Sequence, residues 1–81
     1  LNIYIFDDLQ FHPHGVVPDA IQSSLNFGDK FISVVGGGTG LYGDGKVSFE
    51  VMYSGHEDVE GWVDKNRVTE ILLELQEDDI D

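Results

Sequence analysis

An 81-residue chain has room for one domain with one thin core, because at this length folding hides only about 60% of the surface that the unfolded chain exposes. The absence of cysteine excludes a disulfide framework and a thiolate metal site, and sixteen Asp and Glu against four Lys and Arg, a formal charge of −12, disfavour direct contact with nucleic-acid phosphates or anionic lipid. At 41% apolar residues the chain is too hydrophobic for disorder; it has no run near the roughly 18 apolar residues that cross a bilayer and no basic flank of a secretory signal, so a soluble cytoplasmic domain is expected.

Residues 2–6 are β-branched and aromatic and stop at Asp7-Asp8, which predicts a first strand. Phe11 to Gly15 is turn-rich, and Pro18 limits any strand nearby to an edge. Residues 20–25 and 30–35 read as two strands of a hairpin about the turn Phe27-Gly28-Asp29. The segment 36–45 holds six glycines, too many for a regular element, and predicts a long loop. Residues 46–53 then alternate, with Val47, Phe49, Val51 and Tyr53 on one face and Lys46, Ser48, Glu50 and Met52 on the other. A polar turn over 54–58 follows. Asp64 stands as a helix N-cap ahead of Val68, Ile71, Leu72 and Leu75, which share one helical face. Val63 and Trp62 precede that cap as a hydrophobic staple, and Trp62 is assigned to the core, with a partner surface as the alternative.

The fold class predicted is therefore α+β: a small antiparallel sheet of three or four strands, with Val47 to Tyr53 internal, packed by one C-terminal helix over 65–76. The single domain covers 1–76. The acidic end 77–81 follows a helix C-terminus, where the macrodipole disfavours negative charge, and is expected to fray.

Motifs for chemistry are few. Gly40 to Lys46 satisfies the first seven positions of a phosphate-binding loop, but Val47 stands where a hydroxyl must hold magnesium, and the next residues alternate as a strand instead of opening a helix. A weaker option is an anion nest of glycine amides for a small nucleotide, with Tyr42 beside it. His12 and His14 flank a proline and, with Asp7, Asp8 or His56, offer nitrogen and oxygen ligands, but their spacing matches no metal motif. No nucleophile elbow or helix-borne ligand pair is present, so no catalytic residue, metal or cofactor is expected and the chain reads as a non-enzyme.

Two stretches carry a resemblance. Ile32 to Val35 leads through Gly40-Leu41-Tyr42-Gly43 to Phe49-Glu50-Val51, and Asp58-Val59-Glu60-Gly61-Trp62-Val63 leads into the helix. In this order the chain resembles short uncharacterised acidic proteins of tailed bacteriophages, over roughly its last fifty residues. That resemblance implies a viral accessory protein made in a bacterial cytoplasm, and it implies no activity. Joined to the charge, it leads to the expectation of an anti-defence or accessory protein that binds a basic surface of a host nucleic-acid-handling protein, with carboxylates imitating phosphates. The partner-binding residues expected are Glu57, Asp58, Glu60, Asp44, Tyr42 and Leu41, and direct nucleic-acid or membrane contact is not expected. Homo-oligomerisation is left open. The alternative is a small-ligand or nucleotide binder that uses the glycine-rich loop.

Overall fold

The computed structural model describes residues 3–77. It is an α+β domain in two layers: a five-stranded antiparallel sheet in the order β1-β2-β3-β4-β5, with one helix, α1, following the last strand. The strands are β1 (His12–Pro13), β2 (Ala20–Phe27), β3 (Lys30–Gly37), β4 (Phe49–Tyr53) and β5 (Glu60–Val63), and α1 spans Lys65–Glu77. The helix thus runs one residue beyond its expected end and takes in Glu77; Leu1, Asn2 and the rest of the acidic end, 78–81, lie outside the described residues.

The core forms where two periodicities meet. Register pairs Ile32 with Tyr53, and Val34 with Val51, so these side chains share a face with Phe49. Val68, Ile71, Leu72 and Leu75 of α1 belong to the same buried cluster, and Ile32, Val34, Val51, Val68, Ile71 and Leu72 are wholly excluded from water. The helix starts where the sequence predicts: Asp64 Oδ1 accepts the Arg67 N–H at 2.9 Å, and the Asp64 carbonyl accepts that of Val68 at 3.1 Å. Val63 and Val68, the staple pair, both lie in the core cluster.

Four expectations are corrected. The predicted first strand does not form over its described residues: 3–5 carry no strand partner and Phe6–Asp8 is a turn of 3-10 helix. The backbone there is satisfied by side chains, since Tyr4 N–H donates to Gln76 Oε1 at 2.7 Å, Gln76 Nε2 returns a bond to the Tyr4 carbonyl, Ile5 N–H donates to Asp8, and Phe6 N–H donates to Thr69 Oγ1. This ties the N-terminal segment to α1, and Phe6 and Phe11 then pack on Phe49 with ring centroids 5.0 and 5.7 Å away. Secondly, the sheet has five strands and not three or four, because β1 is a two-residue edge containing Pro13 and β5 is short and irregular, which hides both from a period-2 pattern. Thirdly, the alternating strand begins at Phe49 and leaves Val47 exposed, because the N–H groups of Lys46, Val47 and Ser48 are bonded to Asp44 and cannot enter the ladder.

The fourth correction concerns Trp62, which is 65% exposed while Val63 is buried. Register pairs Phe49 with Val63 and Val51 with Glu60, so Gly61 and Trp62 together stand opposite the single residue Glu50. Trp62 sits at this bulge with φ of 55°, a left-handed conformation that non-glycine residues rarely adopt.

Leu72→Ala is expected to cost about 2–5 kcal/mol in chemical denaturation, since a fully buried leucine loses its transfer energy and leaves a cavity. Trp62→Asn is expected to change stability by less than about 1 kcal/mol, because asparagine tolerates the left-handed region and little burial is lost. A loss of about 3 kcal/mol or more at Trp62 would instead put its ring in the core.

Candidate functional site

The residues expected to bind a partner fall into three places. Glu57 and Asp58 are exposed on the β4–β5 turn, which is held by a bond between His56 Nδ1 and the Asp58 carbonyl at 2.6 Å and by the stacking of His56 on Tyr53. Glu60 is separate from them. It lies partly buried in β5, accepts Arg67 Nε at 2.6 Å and Nη2 at 3.1 Å, and accepts the Tyr53 hydroxyl at 3.1 Å. This bidentate pair clamps β5 to the first turns of α1, so Glu60 is engaged within the fold. The Arg67 bonds hold its carboxyl below the usual 4.5, against an opposing effect of burial. Burial, followed by the neighbouring Glu60, pushes the Tyr53 phenol upward.

Asp44 closes the glycine-rich loop. Its Oδ1 accepts the N–H groups of Lys46, Val47 and Ser48 at 2.8, 2.9 and 3.0 Å, and its own N–H donates to Ser48 Oγ. These backbone bonds hold the carboxyl far below its ordinary value. The expected loop is shorter than 36–45, since Gly36 and Gly37 end β3; the Gly37 N–H donates to the Gly43 carbonyl and the Gly45 N–H to that of Ser48. A carboxylate of the chain itself therefore occupies the nest that an anion would take, and the loop leads into β4 and not into a helix.

Leu41 and Tyr42 belong to a third place, the face of the sheet turned away from α1. Register puts Gln22, Ser24, Asn26, Phe31, Ser33, Val35, Glu50 and Met52 on this face. Among the described strand residues of that face Glu50 is the only carboxylate, in a chain of charge −12. The loop is braced against it. Tyr42 N–H donates to Glu50 Oε1 at 3.1 Å, and the Tyr42 carbonyl accepts the Trp62 N–H at 2.7 Å. Two glycines permit this approach: a Cβ at Gly61 would fall 2.5 Å from Tyr42 Cβ, and one at Gly43 would fall 2.5 Å from Phe49 Cα. Tyr42 and Trp62 are left exposed beside the brace, and Leu41 is half-buried at the wall of a hollow of about 270 Å³ that Glu50 also lines.

Sequence reasoning missed Glu50, Met52, Gln22 and Ser33 as site candidates. The signal was present in the second face of the alternating strand, but its residues carry no motif. The histidines are dispersed among local bonds: His14 Nδ1 accepts the N–H groups of Val16 and Val17 at 3.0 Å each, and His12 Nδ1 lies 3.1 Å from the Pro13 carbonyl. Among the described residues no group of three or more His, Asp or Glu side chains converges as metal ligands would, and no helix is long and apolar enough to cross a membrane.

No family model matches this chain, and neither curated proteins nor solved structures yield a match.

A carboxyl whose pKa is lowered by folding adds stability above its ordinary value of 4.5, and that stability is lost as pH falls through the lower folded value. Compared with the parent between about pH 7 and about pH 3, Glu60→Gln is expected to show a stability deficit that is widest near neutrality and closes in acid. A deficit independent of pH would make the contact one of packing and not of charge. Asp44→Ala is expected to abolish amide-exchange protection at Lys46, Val47 and Ser48 while protection at Val34 and Val51 persists.

Proposed function

We propose that this protein is a non-catalytic binding domain, a viral accessory or anti-defence protein, whose acidic surface engages a basic surface of a host nucleic-acid-handling protein in place of DNA or RNA. The observation that carries this reading is the uncompensated field. Arg67 is paired with Glu60 and Glu70, and the exposed Lys46 and Lys65, the latter 5.5 Å from the Phe6 ring centroid, are outnumbered by the exposed Asp7, Asp8, Glu57, Asp58, Glu74 and Glu77. Such a surface steers a cationic partner toward it and repels polyanions. The resemblance to small acidic proteins of tailed phages supports the setting, a bacterial host cytoplasm. The nucleotide-binding alternative has less support, because Asp44 takes the amides of Lys46, Val47 and Ser48 and backbone carbonyls take those of Gly37 and Gly45.

Affinity capture from a bacterial host lysate on the immobilised domain, followed by competition with DNA, tests the proposal. The captured protein is expected to release DNA as this domain binds, with affinity falling as salt rises, since fields are screened over about 8–10 Å at physiological ionic strength. Independent binding of DNA and this domain, indifferent to salt, would overturn it.

A further inference from the structure

Binding a basic partner needs more than a negative field, because exposed carboxylates screened by salt contribute little each. The open face of the sheet offers a more specific contact. The hollow there is lined by His14, Gln22, Ser33, Val35, Leu41, Glu50 and Met52, its volume of about 270 Å³ suits one long side chain, and it combines aliphatic walls with a single carboxylate.

The hydrogen-bond capacity of this hollow is unevenly used. Glu50 gives Oε1 to the Tyr42 N–H, and Oε2 makes no bond among the described residues. Gln22 donates its Nε2 to Ser33 Oγ at 3.3 Å, which leaves its carbonyl oxygen as a second acceptor. Two acceptors of this kind, one charged and one neutral, match a donor-only planar group with several N–H bonds. Leu41, Val35 and Met52 suit the methylene stem behind such a group. The Tyr42 and Trp62 rings, 55% and 65% exposed, flank the brace that holds Glu50 and present faces on which a cation or an apolar neighbour can stack.

We infer that this hollow on the open sheet face, with Glu50 at its wall and the exposed Tyr42 and Trp62 beside the brace that holds Glu50, receives an arginine side chain of the basic partner. The inference rests on the basic-partner reading and locates its anchor away from the Glu57–Asp58 turn. Charge complementarity selects the occupant: the one carboxylate that the described strands put on this face is Glu50, and the field of the rest of the molecule has the same sign. Glu50 is partly shielded, so its pairing with a guanidinium is screened less than that of the turn carboxylates.

Titration of the full chain with a nona-arginine peptide, followed residue by residue in amide spectra, tests this. Shifts are expected to concentrate at Gln22, Ser33, Glu50 and Met52, and Glu50→Gln is expected to weaken binding about tenfold or more. The amide oxygen of that variant still accepts the Tyr42 N–H, so the fold is retained. Met52→Lys, at a half-exposed position, puts a competing ammonium at the mouth and is expected to weaken binding likewise. The turn variant Glu57→Gln with Asp58→Asn is expected to change affinity less than about twofold. Salt-sensitive binding with shifts at the turn or along α1, and no effect of Glu50→Gln, would overturn the arginine hollow while leaving the basic-partner reading intact. Failure to bind the peptide saturably would overturn both. If Glu50→Gln weakens peptide binding but the captured host protein does not compete with DNA, the hollow stands and the nucleic-acid-competition reading falls.

Discussion

Val68, Ile71, Leu72 and Leu75 close over Ile32, Val34, Phe49 and Val51, and this contact between one helical stripe and one sheet face is what the rest of the molecule depends on. Burying a side chain of this size contributes about 1.5–3 kcal/mol, and the described residues form this one hydrophobic cluster. The helix is clamped in place at three points by polar groups: Asp64 caps its start, Arg67 bonds Glu60 on β5, and Gln76 and Thr69 take up the backbone of the N-terminal segment. Each clamp satisfies groups that would otherwise be stranded near the core.

A single helix covers a single face. The other side of the sheet therefore stays open except where the glycine-rich loop folds onto it, and the loop can do so because Asp44 gathers three consecutive amides and turns the chain. The same bonds delay the start of β4 to Phe49. Tyr42 is then delivered onto Gly61, and the extra residue in β5 is accommodated as a bulge that carries Trp62 outward in a left-handed conformation. The result is an exposed tryptophan on a left-handed backbone beside the carboxylate that accepts the Tyr42 N–H.

Charge follows the same division. Carboxylates crowd the turns, the 3-10 segment and the outer side of α1, whereas the strands put one acid on the open face. Under the binding function proposed above, this division separates two tasks, long-range steering by the bulk of the charge and short-range recognition by a braced, mostly uncharged surface.

The sequence by itself determined the elements whose periodicity is local. The capped helix with its face of Val68, Ile71, Leu72 and Leu75, the hairpin of β2 and β3 and the inward Phe49, Val51 and Tyr53 were legible because each repeats within a few residues. Only the tertiary structure decided the rest, because it depends on partners distant along the chain. Gln76 and Thr69 took the bonds that a first strand would have made, 72 and 63 residues away. Glu60 was drawn from the acidic turn into a pair with Arg67, and Asp44 from a free charge into a loop closure. Trp62 has the composition of a core residue, and its exposure followed from register: two residues of β5 face one of β4, a count fixed by strand pairing and invisible in any short window of the chain.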